Sequence, residues 1–243
     1  MKAGAMTDSP GVLLSVRGDA RQMVAPDYGI LAAMIESAAE SKEEALRSAA
    51  AAQDRLTTDL GSLGGVPLRR DTEHRSLTWS ARSATTRVEH AHHERTGRYE
   101  PTGRIIAAVD IAVTVRAFDK IGALGSVLSS HDALHVYQVS WHVDADNPAW
   151  PELRAAAIKA AIRKGRDYAA ALGGELHHVE HIADAGLLGA GDSGYTPAGV
   201  WRATAASKGT GEPDTPSLDP VPQELAATIE ARFVAAGVSL ADR

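Results

Sequence analysis

The chain has 243 residues, no cysteine, and a net charge of −6 from 25 basic and 31 acidic residues. A chain this long buries roughly 70–75% of its unfolded surface, so it needs no staples, and the missing cysteines exclude disulfides and thiolate metal sites and fit a reducing compartment. No lysine or arginine run marks a nucleic-acid partner, and no stretch of about 18 apolar residues spans a membrane. The opening "MKAGAMTDSPGVLLSV" lacks the apolar core of a signal peptide, so the expectation is a cytoplasmic protein.

The first element is the strand "GVLLSVRGDARQMV". Val12, Leu14 and Val16 alternate there with Leu13, Ser15 and Arg17, and Gly18 suggests a bulge. Pro26 and Asp27 break the chain. Residues 28–38 suit a helix or a strand by composition. The arbiter is Ser41-Lys42-Glu43-Glu44, which has capping-box spacing. A cap inside a helix has no purpose, so 28–38 is read as strand. The helix is expected over 42–60, ended by Gly61 and the Gly64-Gly65 pair.

"EHRSLTWSARSATTRVEHA" reads as one long strand or two short ones. In "GRIIAAVDIAVTVRAF", Ile105, Ala107, Val109, Ile111, Val113 and Val115 form one apolar face; Asp110, Thr114 and Arg116 lie on the other. A short helix follows in "DKIGALGSVLSS". The strand "ALHVYQVSWHV" sets Tyr137, Val139, Trp141 and Val143 against Gln138, Ser140 and His142. "PELRAAAIKAAIRKGRDYAAALGG" is an amphipathic helix with Pro151 near its start and a stripe of Ile158, Ile162, Gly165, Ala169 and Leu172. "ELHHVEHIAD" is a strand, residues 185–222 a long flexible loop, and "ELAATIEARFVAA" a last strand by alternation from Leu225 to Phe233. The sum is an α+β domain over residues 1–243: a mostly antiparallel sheet with two long helices on one face.

Few groups suggest chemistry. His90, His92 and Glu94 share a face if "EHAHHE" is extended, and two histidines with a carboxylate suit zinc or iron. The bland reading is a polar strand end. In "HHVEH", strand periodicity puts His177 and His181 on one face and His178 with Glu180 on the other. "GAGDSG", residues 189–194, spells a dinucleotide loop, but Pro197 and Gly199 interrupt the helix that should follow. A nucleophile at Ser193 has no protease context. Trp79, Trp141 and Trp150 suit core packing better than a ligand pocket.

The ordered set of motifs resembles the SIMPL domain family from about Val12 to Asp184, with a final strand at 225–234. Its pieces are the Pro26-Asp27 pair after the first strand, the Ser-led helix with Ala45, and Tyr99 before the long strand. "DKIGALGSVL", "SWHVDAD" and the alanine-rich helix ending in Leu-Gly complete the set. The resemblance implies helices on an antiparallel sheet. Members are often exported or envelope-associated, and some form rings. A bacterial member is linked to oxidative stress and a mammalian one to kinase signalling. The family offers no catalytic residues. The expectation is a non-enzymatic, stress-related protein that binds itself and another protein, with no cofactor. The rival is a metal-dependent enzyme on His90, His92 and Glu94. The expected assembly surfaces are the sheet edges, whose unpaired backbone groups are templates for another chain, or the second sheet face, with small or mixed residues such as Ala108, Ala112 and Thr114 and with Arg116 at its end.

Overall fold

The computed structural model describes residues 11–93, 97–187 and 218–239. In chain order the elements are β1 (Val12–Val24), β2 (Tyr28–Ala39), α1 (Lys42–Ser62), β3 (Val66–Pro67), β4 (Leu77–Ala81), β5 (Thr85–His93) and β6 (Arg98–Val115). A 3-10 turn (Phe118–Lys120) leads into α2 (Ile121–Ser129), then β7 (Leu134–His142), α3 (Ala149–Ala171), β8 (Glu175–Asp184) and β9 (Gln223–Ala236).

The fold is α+β, but the expected single sheet under two helices is corrected. The strands form two sheets, β1-β9-β8 and β3-β4-β6-β2-β7, with β5 added to β6. The chain divides into two compact units, one containing Ala25–Asp144 and the other β1, α3, β8 and β9. Each long helix packs on its own sheet, α1 on β2 and β6, α3 on β1 and β8. Alternation along a strand shows that one face is buried, not which sheet the strand joins.

In the larger unit β2 is central, antiparallel to β6 on one side and β7 on the other. Leu31, Ala33 and Ile35 of β2 and Val109, Ile111, Val113 and Val115 of β6 form one core with Ala45, Ala49, Ala52, Leu56 and Leu60 of α1. The alanines let the helix approach the sheet closely. Ser41 has an extended backbone and accepts the Glu44 amide at 3.2 Å, so the helix starts where the spacing puts it. It ends in a Schellman motif: Gly64 has φ +82, the Gly65 amide bonds the Leu60 carbonyl at 2.8 Å and the Gly64 amide bonds Gly61 at 2.9 Å. Gly61 stays within the helix. The ambiguous segment before β6 resolves into the two strands β4 and β5.

One expectation fails in β7. Ala32 pairs with Gln138 while Ala33 pairs with Val136, so Tyr137 is an extra residue in the ladder. The bulge reverses the strand's parity. Leu134 and Val136 pack on the core before it, Val139 and Trp141 after it, and Tyr137 is 58% exposed.

In the smaller unit Val16, Ile229, Ala231 and Phe233 meet Ala157 and Ala161. Arg17 pairs with Glu230 at 2.9 Å, Thr228 donates to Asp19 at 3.0 Å, and Arg21 pairs with Glu224 at 3.1 Å. Numbers rising along β1 fall along β9, so the two strands are antiparallel. A Cβ on Gly18 would run into the Ala157 carbonyl and Ala161. Gly18 therefore marks the close crossing of α3 over β1.

That crossing also corrects the α3 stripe. The buried residues are Ala149, Leu153, Ala157, Ala161, Gly165 and Ala169, whereas Ile158 and Ile162 flank the contact half-buried. Small residues take the centre because the backbones are close. Gly173 (φ +74) and Gly174 close α3 with the same motif as α1, the Gly174 amide reaching Ala169 at 2.9 Å. β8 pairs with β9 in a register that shifts at His177 and at Glu180.

Candidate functional site

The densest polar constellation lies where β2, β6 and β7 end together in the larger unit. Tyr28 opposes His142 in the β2–β7 ladder, and Gly29 opposes Val115 in β6, so Arg116 follows beside Tyr28. The Arg116 guanidinium lies 4.4 Å from the Tyr28 ring centre, and the Tyr28 and His142 rings stack at 5.0 Å. Arg116 donates to both carboxylate oxygens of Asp144, at 2.6 and 3.1 Å, and its Nε donates to the Glu73 carbonyl at 3.2 Å. The Asp144 amide donates to Asp27 Oδ2 at 2.7 Å. Thus Pro26-Asp27 and "SWHVDAD", far apart in sequence, meet in space.

The electrostatics follow the geometry. The Arg116 hydrogen bonds hold the Asp144 carboxyl below the usual carboxylate range, and the same pair raises the Arg116 guanidinium. Burial lowers His142 below an ordinary imidazole, favouring its neutral form. Ser140 Oγ is 2.9 Å from His142 Nε2. That is a hydroxyl–base distance. Yet among the described residues no carboxylate orients the imidazole, and Ser140 Oγ also lies 3.4 Å from the Ile30 carbonyl. The cluster's charges satisfy one another, so its chemistry is that of a clamp on three strand ends. Arg116, expected on an assembly face, has only 20% of its side chain exposed and serves this clamp.

The sequence-selected residues scatter. His90 and His92 of β5 oppose Pro101 and Tyr99 of β6 and share a face, as expected. His90 Nδ1 lies 3.1 Å from the Val88 carbonyl, and His92 meets Tyr99 edge-on at 5.4 Å. Both are exposed, and Glu94 lies outside the described residues. The second histidine group departs from its expected faces because of the shifts in β8, and the rings of the neighbours His177 and His178 meet edge-on at 5.2 Å. Among the described residues no three histidine, aspartate or glutamate side chains gather into a group able to hold a metal ion. Trp79 and Trp141 pack on the larger core, with Phe118 edge-on to Trp141; Trp150 stands on α3 in the other unit under Arg154. "GAGDSG", Ser193 and most of the expected 185–222 loop lie outside the described residues.

The sheet edges are the other notable surface. β1 and β8 each have β9 as their one strand neighbour among the described residues. On β1, Leu13 and Met23 are 49% and 59% exposed. No single motif announced this edge; alternation marked Leu13 as facing away from the core but not that β1 ends a sheet.

The geometry defines an α+β protein with two helix-covered sheets, an internal charge clamp and no assembled catalytic centre among its described residues. The family model SIMPL, protein of unknown function (DUF541), matches residues 14–233; the chain belongs to the SIMPL family. No curated protein matches it. No helix among the described residues is long and apolar enough to cross a membrane.

Proposed function

We propose that the protein works by self-assembly through its sheet edges, with partner binding built on that assembly, and not by catalysis. The observation that carries this reading is the edge strand β1: it has a strand neighbour on one side among the described residues, and it leaves Leu13 and Met23 about half exposed. Unpaired edge amides and carbonyls are a template for another chain; on β1 the Arg17 carbonyl already accepts from Lys164 Nζ at 2.6 Å, a contact that strand pairing there must displace. The second face of the larger sheet is a poorer route. Ala108, Ala112 and Thr114 are already half-buried within the chain, and Arg116 is committed to Asp144. Binding of another protein and a stress-related role rest on the family resemblance alone and have no assigned residues.

Light scattering over a range of concentration and salt tests the reading. The expected result is a mass above that of one 25.5 kDa chain, rising with concentration. A single-chain mass throughout would sink it. For the metal-enzyme reading, His90 and His92 lie on one face, and Glu94, its third residue, lies outside the described residues.

A further inference from the structure

β1 is thirteen residues long, and Gly18 stands at its centre. Leu13, Ser15, Arg17, Asp19, Arg21 and Met23 are all exposed, while Val16 and Gly18 are buried. Those six exposed residues share one strand face. They are also arranged as a mirror about Gly18: Arg17 answers Asp19, Ser15 answers Arg21, and Leu13 answers Met23.

We infer that β1 is a self-complementary edge, pairing antiparallel with β1 of a second copy about a two-fold axis at Gly18. The inference rests on the self-assembly reading and adds the edge, the partner and the register. In this pairing Arg17 faces Asp19 of the second copy, and by symmetry Asp19 faces its Arg17. Leu13 faces Met23 twice, covering the two exposed apolar residues of that face. The pairs are the stabilising kind for directly opposed residues, opposite charges and apolar contacts. Other registers do worse. A slip of two positions sets Arg17 against Arg17 or Asp19 against Asp19, and a slip of one turns side chains to the wrong face.

The charges inside each copy extend the pattern. Arg17 already touches Glu230, and Asp19 already accepts from Thr228. Pairing at β1 joins these into a row running Glu230, Arg17, then Asp19 and Thr228 of the second copy. The product is a six-stranded sheet with β8 at both ends. β8 suits that terminal place: its register shifts at His177 and Glu180, and it carries Glu175, Glu180 and Asp184. Bulges and charges of this kind blunt an edge against further pairing. The interface is isologous and closed, so it stops at two copies.

A charge swap tests the register. Arg17→Asp alone faces Asp19 with a second aspartate, and Asp19→Arg alone faces Arg17 with a second arginine. Each variant should dimerise roughly tenfold more weakly than the parent, while an equimolar mixture of the two restores opposite charges at both pairs and should recover dimer. Both residues are exposed, and circular dichroism checks that each variant folds. The cysteine-free chain allows an independent readout: Leu13→Cys mixed with Met23→Cys should form disulfide dimers several-fold faster than either variant alone. Assembly that persists without recovery in the mixed pair, or without the mixed cross-link, overturns the β1 register and leaves self-assembly standing. A parent chain that is monomeric at every concentration overturns both.

Discussion

The Arg116 guanidinium grips both carboxylate oxygens of Asp144, joining the end of β6 to the segment after β7. Only 20% and 30% of the two side chains are exposed, so solvent screens the pair incompletely. Arg116→Ala should cost about 2 kcal/mol, the scale of a charged hydrogen bond whose partner is left behind. Urea unfolding measures it. Asp144 supplies a second readout. Its folded pKa is depressed by Arg116, so the stabilisation is present above the unfolded value of about 3.9 and is lost as pH falls through the lower folded value. Arg116→Ala should flatten that acid slope; an unchanged slope would show that the pair contributes nothing.

His142 gives the opposite protonation logic. Burial lowers its folded pKa, so the folded chain resists a proton that the unfolded chain accepts. The associated stability is fully present above the unfolded pKa of about 6.5 and declines as pH falls from there toward the lower folded value. His142→Gln should reduce the loss of stability between neutral pH and about pH 5. Melting temperatures of the two chains across that window decide it; parallel curves would mean that His142 does not titrate against folding.

Local physics was the legible part of this fold. Ser41 and Glu44 located the start of α1 and, through it, the strand β2 before it; alternation located β6, and β9 even where alanine favours helix. Cross-strand events were not legible. The bulge at Tyr137 and the shifts at His177 and Glu180 are set by partner strands, and the i, i+2 rule fails across each. The α3 stripe was right at Gly165 and Ala169 and misplaced at its start, because Ile158 and Ile162 look more apolar than Ala157 and Ala161, yet closeness to β1 at Gly18 favours the smaller residues. The clamp was hidden because Asp27, Tyr28, Arg116, His142 and Asp144 come together only through the order β6-β2-β7. His90 and His92 were correctly placed on one face, and Glu94, the third residue of that set, lies outside the described residues.

Removal of metal should leave stability unchanged. His90 and His92 are exposed on the β5–β6 ribbon, away from the buried residues of the larger core. A structural metal makes folding depend on its presence. Melting temperatures with and without a strong chelator should agree, and elemental analysis should show less than one metal ion per chain. A stoichiometric metal with a large fall in melting temperature on chelation would revive the metal-enzyme reading.

Two glycine substitutions should act in opposite directions. A Cβ at Gly18 collides with the Ala157 carbonyl and with Ala161. Backbone atoms cannot rotate away as a side-chain tip can, so α3 must lift from β1. Gly18→Ala should therefore cost about 1–3 kcal/mol, the range for overpacking a tight contact. Gly122 in α2 has nothing within 4 Å of its added Cβ, and no positive φ. There Ala gains helix propensity, and Gly122→Ala should be neutral or stabilise by up to about 1 kcal/mol. Denaturant midpoints of both variants separate the two effects. If Gly18→Ala proved as benign as Gly122→Ala, the close crossing of α3 over β1 would be wrong. The small-residue stripe of Ala157, Ala161 and Gly165 would then need another cause.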